Sequence, residues 1–233
     1  MTESQDFLTP QATQLGPLLI SETVFSTWGI MIFLWLLCLA LTRRLKPDHP
    51  GLLQTAVEYV VISIDKAIAD VLPRQHRMVM PFIATLWLFL VVANLSGVVP
   101  GLHAPTRDLS TTSALAVLVF FSVHWFGIRS QGLRHYLVHY VRPSPILLPF
   151  HLIGEITRTL AMAIRLFGNM MSLEMAALLV LLVAGFLVPV PILMLHVVEA
   201  LVQAYLFGML ALIYVASGIQ SQQTDPSQEG KNV

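Results

Sequence analysis

Arg165 stands in the run Leu160-Ala-Met-Ala-Ile-Arg-Leu-Phe-Gly-Asn169, a permanent cation inside a segment otherwise built to dissolve in lipid. An arginine in hydrocarbon costs roughly 2.5 to 3.5 kcal/mol on insertion scales, and its guanidinium cannot escape that cost by losing a proton. Such a charge needs an anion beside it. On a helix, Ala161, Gly168, Ser172 and Ala176 fall within about 60° of Arg165, so the cation lies on a stripe of small side chains along which another backbone can approach. The pattern presents the charge to a partner.

Other polar residues share the two last apolar segments. Glu155, Arg158, Arg165 and Asn169 fall on one broad helical face, whereas Glu174, nine residues beyond Arg165, points about 180° away. His196, Glu199 and Gln203 follow at spacings of three and four, flanked by the small residues Ala200, Ala204, Gly208 and Ala211. A stripe of exchangeable polar groups walled by close-packed helices is what a proton or cation path requires. Plainer readings exist. Glu155 and Arg158 could be an i, i+3 ion pair, and His196 with Glu199 a hydrogen-bonded pair that only ties helices together. Asn169 and Gln203 could be interhelical glue worth roughly 0.6 to 2 kcal/mol each. His196-Val-Val-Glu199 has no third ligand in register, so no metal site is expected. A purely structural reading of Arg165 would need a dedicated counter-ion in the chain; Glu174 points away from it, and Glu199 remains the internal candidate.

Composition sets the solvent. Apolar residues make up 56% of the 233-residue chain and charged residues only 11%, against roughly 25% charged in a soluble domain, and mean hydropathy is +0.75. Net charge is formally zero, which gives no footprint for nucleic acid. The single cysteine, Cys38, cannot form an intrachain disulfide and reads as a small apolar packing residue. Met1-Thr-Glu-Ser-Gln-Asp6 lacks the basic start of a cleaved signal peptide.

These elements are expected to position the polar residues in an all-α integral membrane protein of one domain. Residues 1–21 form an external N-terminal segment, and Val24 to Leu41 the first crossing, closed by the basic cluster Arg43-Arg44-Leu45-Lys46 and Pro47. Residues 53–72 carry Leu53, Val57, Val60, Val61, Ile64, Ile68 and Val71 on one face and Gln54, Glu58, Asp65 and Lys66 on the other, which predicts an in-plane surface helix. Residues 79–128 form a helical hairpin from Val79 to Val99, turning at Pro100-Gly101 and returning from Ser113 to Ile128, with His103, Arg107 and Asp108 in its external loop. Residues 149–217 form two long helices broken at Pro189-Val-Pro191, and residues 218–233 a polar cytoplasmic tail. The stretch from Pro149 to Gly185 would be about 55 Å long at 1.5 Å per residue, too long for upright passage through a roughly 30 Å hydrocarbon core. It must tilt. Of thirteen basic residues only Arg107 clearly falls outside, so the positive-inside rule predicts five crossings, N-terminus out and C-terminus in.

Arg165-Leu-Phe-Gly-Asn-Met170, followed by Glu174, His196 and Gln203, resembles the signature of subunit a of the F-type rotary ATP synthase, bacterial type. Asn94-Leu-Ser-Gly-Val-Val-Pro-Gly101 and Pro105-Thr-Arg-Asp-Leu109 resemble the hairpin turn of that family, Leu152-Ile-Gly-Glu155 the beginning of its long helix, and Gln203-Ala-Tyr-Leu-Phe207 the centre of its final one. The resemblance implies a stator subunit in a bacterial plasma membrane, without chemistry of its own on ATP and without a cofactor. Its partners would be the c-subunit ring, the peripheral-stalk b subunits, the rest of the complex and the bilayer. Arg165 would face the ion-binding carboxylate of the ring, with Gln203 near it. Asn169, Glu174, His196 and Glu199 would line an outer half-channel for H⁺ or Na⁺ with Asp108 near its mouth, and Glu155, Arg158 and His151 an inner one. Two departures stand out: Thr159, Leu160, Ala161 and Ala163 replace the usual proline and serines, and Arg107 occupies a position where a small residue is common. A self-contained secondary ion transporter is the alternative.

Overall fold

The computed structural model describes residues 12–15, 18–43, 51–99, 104–132, 148–184 and 189–220. Among them are six helices: α1 (Glu22–Arg43), α2 (Leu52–Val71), α3 (His76–Ser96), α4 (Leu109–Gln131), α5 (Leu148–Ala184) and α6 (Pro189–Gln220). All but α2 contain a stretch long and apolar enough to cross a membrane, so the architecture is that of an all-α integral membrane protein. Pro100, Gly101, His103, residues 133–147 and the tail beyond Gln220 lie outside the described residues. The expected tail begins later than residue 218, because Gly218, Ile219 and Gln220 complete α6.

Before α1 the chain departs from expectation. Ala12–Leu15 (β1) and Leu18–Ser21 (β2) pair antiparallel, with Leu15 opposite Leu18 and Ala12 opposite Ser21. The signal was present in the sequence: Gly16-Pro17 is a strong turn dipeptide between two short runs containing Thr, Leu and Ile. Its brevity hid it beside five long helical patterns.

Large apolar side chains cover much of the outer surface, and the interior combines alanines and branched aliphatics with Met, Phe and Trp. Trp28, Trp35, Phe121, Trp125, Met194 and Leu182 are all exposed, as is Cys38 on α1. In a protein whose solvent is hydrocarbon, that outward face costs nothing. The core lies where α3, α4, α5 and α6 meet, with Ile83, Leu90, Leu166, Met170, Phe207, Leu212 and Val215 at 1% exposure or less. α1 adds little to it. α2 contributes Ile68, fully buried and followed by Leu72, with Ile64, Ala67 and Val71 half-buried against the core, while Val57, Val60 and Val61 remain outward; Gln220 Nε2 donates to Val71 O at 3.2 Å, tying the end of α6 to the end of α2.

Helix ends have identifiable causes. α4 starts at Leu109 instead of Ser113 because Asp108 is its N-cap: the carboxylate accepts from Ser110 N at 3.0 Å, satisfying one of the amides left open in a first turn. The helix stops at Gly132, whose φ of +87° is readily adopted only without a Cβ. A short 3₁₀ turn, Pro105–Arg107, precedes the cap. α5 and α6 hold 37 and 32 residues, about 55 and 48 Å, whereas the 21 residues of α3 span only about 32 Å.

Candidate functional site

Polar groups gather at three levels along α5. At mid-helix, Arg165 is exposed and, among the described residues, makes neither a hydrogen bond nor an ion pair. Ala161, Ser172 and Ala176 on its stripe are exposed as well, and a methyl group on Gly168 would meet nothing within 4 Å. One turn beyond the arginine, Asn169 Nδ2 donates to Gln203 Oε1 at 2.8 Å. Gln203 is 2% exposed, so this bond couples α5 to α6 from inside the bundle.

Toward the end bearing the 3₁₀ turn, Arg107 Nη1 donates to Glu174 Oε1 in an ion pair. Asp108 caps α4 and also accepts from Thr23 Oγ1 of α1 at 3.0 Å. His196 is buried against this same end: a Cβ on Gly97 would lie 3.4 Å from its Nε2 and 3.0 Å from Ala104 Cβ. Asn94 Nδ2 donates to Ala200 O at 3.1 Å, one turn along α6 from His196. Asn94 Oδ1, Thr106 Oγ1 and His196 Nε2 are buried without a hydrogen-bond partner among the described residues. Buried polar atoms are ordinarily satisfied by protein or by ordered water, so these three atoms are open to a further polar partner.

Toward the opposite end, His124 Nε2 of α4 lies 3.5 Å from Glu155 Oε2, and Arg158 stacks over the Tyr214 ring at 5.8 Å from its centroid. Thr159 Oγ1 donates to Glu155 O at 2.9 Å. Glu155 and Glu174 thus lie ten and nine residues to either side of Arg165, about 15 and 13.5 Å along the helix axis. Carboxylates at two levels with a cation between them can accept ions from opposite sides without forming one continuous file.

Several sequence readings change here. Glu155 and Arg158 do not pair; each reaches a different neighbouring helix. His196 Nε2 has no bond to Glu199, and Glu199, half-buried, makes no hydrogen bond or ion pair among the described residues, so it is not the counter-ion of Arg165. Glu174 lies on the opposite azimuth from Arg165, as its spacing required, and it forms an ion pair with Arg107. His151 lies in the first turn of α5 and its side chain is outside the described set. Sequence reasoning passed over Asn94, Thr106 and His124 as participants. Asn94 and His124 carried a signal, since each is a polar residue deep inside an apolar run.

Five long apolar helices around a mainly hydrophobic core, with ionisable groups at three levels along α5, define a multi-pass membrane protein. The comparisons make that specific. The sequence profile of the ATP synthase A chain matches residues 24–216, and the chain belongs to that family, whose role is ion translocation in the membrane sector. It is 63% identical over 217 residues to ATP synthase subunit a 2 of Pelobacter propionicus, covering 92% of this chain and 95% of the relative. It is 61% identical to subunit a 1 of Hahella chejuensis (94% and 92% covered), and 53% identical to subunit a of Legionella pneumophila strain Philadelphia 1 (94% and 95% covered).

Proposed function

We propose that this chain is the stator half of a rotary ion motor, with Arg165 facing the ion-binding carboxylate of a ring of c subunits. The observation that carries this reading is the exposed arginine: a cation at mid-helix, on a stripe of small residues, with no counter-ion among the described residues. The ring supplies the missing anion. Two unit charges 4 Å apart at an effective dielectric of 20 attract by about 4 kcal/mol, roughly a thousandfold in favour of the ionised carboxylate. Each ring carboxylate therefore gives up its ion on reaching Arg165. The guanidinium itself stays charged and bars direct leakage between the two levels.

Ions reach the ring from the outer side through the grouping of Asn94, Glu174, His196 and Glu199, with Asp108 holding the mouth in shape. They leave on the inner side past Glu155, Arg158, His124 and His151. Asn169 and Gln203 set the spacing of α5 and α6 beside the arginine. The N-terminus is outside and the C-terminus cytoplasmic, α2 lies in the plane of the inner surface, and α5 and α6 cross the bilayer at a steep tilt while wrapping the ring. The exposed face of α1 is the surface for lipid and the peripheral-stalk b subunits.

The test is ATP-driven ion pumping in inverted membrane vesicles. Arg165→Ala is expected to abolish pumping while the complex still assembles, and Arg165→Lys to fail too, because an ammonium lacks the planar fork and loses its proton more readily when buried. Near-normal pumping in either variant overturns the reading.

A further inference from the structure

We propose that Arg107 is a positioning residue of the outer ion path, whose guanidinium holds the Glu174 carboxylate as one half of a charge-matched pair and thereby sets how tightly an incoming monovalent cation is bound. The inference rests on the half-channel reading above. Arg107 has an uncommon mounting for an arginine in a loop. It ends a one-turn 3₁₀ segment in which Pro105 and Thr106 are buried. Arg107 N donates to Ala104 O at 3.1 Å and Asp108 N to Pro105 O at 3.2 Å. Directly after it, Asp108 is fastened by the α4 cap and by Thr23 of α1. The side chain therefore leaves a backbone pinned on both sides, and its guanidinium meets a carboxylate 67 residues away in sequence.

Both partners keep contact with their surroundings, at 38% and 25% side-chain exposure. A structural ion pair so exposed contributes little to stability. Its field is another matter. The pair stands at the end where His196 Nε2, Asn94 Oδ1 and Thr106 Oγ1 are buried without partners, so a cation bound there feels Glu174 and Arg107 together. Among the described residues, the turn and α6 also carry the ionisable groups Asp108, His196 and Glu199. With the pair intact, attraction by the carboxylate is offset by repulsion from the guanidinium, and the path takes up a cation without trapping it. Charge balance at this point then controls affinity, while Arg165 controls release at the ring.

The experiment measures ATP synthesis by the whole complex in membranes at fixed driving force, normalised to assembled complex, as external pH and external Na⁺ are varied separately. The arm that saturates identifies the ion. Arg107→Gln is expected to lower the half-saturating ion concentration about tenfold, and Glu174→Gln to raise it about tenfold, because removing one partner exposes the field of the other. Arg107→Lys, which keeps the charge, is expected to stay near the parent value. A purely structural pair would change only the maximal rate or the amount assembled, so unmoved half-saturation in both charge-removing variants overturns the proposal. If Arg107→Gln fails to assemble, the upward shift in Glu174→Gln decides alone, and its absence is equally fatal. Arg165→Ala measured alongside separates the two readings: pumping that survives there removes the stator mechanism, whereas an inactive Arg165→Ala with unmoved half-saturation removes only the role of Arg107.

Discussion

α5 and α6 each carry a stripe of small residues, and the two stripes meet opposite fates. On α6, Ala200, Ala204 and Ala211 are fully buried, and a Cβ built on Gly208 would lie 1.8 Å from Trp87 Nε1. Trp87 of α3 fills that space, donating to Tyr205 O at 3.3 Å and stacking on the Tyr205 ring with centroids 6.0 Å apart. On α5, Ala161, Ser172 and Ala176 are exposed and the space over Gly168 is open. Small residues in a membrane helix mark where another backbone comes close, but they do not say whose. The α6 stripe is consumed by this chain's own α3. The α5 stripe, with Arg165 in its centre, stays uncovered by this chain.

The comparison breaks most completely at the charge, where Arg165→Ala is expected to stop pumping altogether with assembly intact. Next in size is Gly208→Val. It drives side-chain atoms into Trp87, and overpacking of this kind costs about 1 to 3 kcal/mol, so thermal denaturation of the purified complex should begin at lower temperature and less chain should reach the membrane. Tolerance of valine there would mean that α3 and α6 are not packed as described.

A smaller effect sits between the two stripes. Asn169→Leu removes the 2.8 Å bond to Gln203 and leaves a buried amide oxygen unsatisfied, a loss of about 1 to 2 kcal/mol. Adding Gln203→Leu should recover part of it, which a double-mutant cycle on the same denaturation curve would reveal as coupling. Simple additivity would show that the bond carries no energy. Smallest in stability is Gly168→Val, expected to change the stability of the chain by no more than about 0.5 kcal/mol while slowing rotation, because the added atoms would meet the proposed ring and not this protein. Unchanged pumping in that variant would contradict the assignment of the α5 face to the ring.

Long apolar runs were legible from hydropathy alone, because each crossing helix must satisfy its own backbone inside hydrocarbon. The stretch expected from Pro149 to Gly185 is Leu148–Ala184, and the in-plane candidate at 53–72 is Leu52–Val71. Errors fell where a single side chain overrides a long pattern. Asp108 moved the start of α4 four residues earlier by capping it, and the ribbon of Ala12–Leu15 and Leu18–Ser21 is too short to show a periodicity of its own.

Arg165, its azimuth and its small-residue stripe followed from the chain itself, since helix geometry relates residues a few positions apart without reference to anything else. The direction of Glu174 away from it followed in the same way. What each polar group meets did not. Arg107 finds Glu174, His124 finds Glu155, Asn94 finds Ala200 and Trp87 finds Gly208 across helices distant in sequence. Those pairings depend on how the hairpin of α3 and α4 is set against α5 and α6. That docking is decided by interdigitation of the whole core, and no local period encodes it.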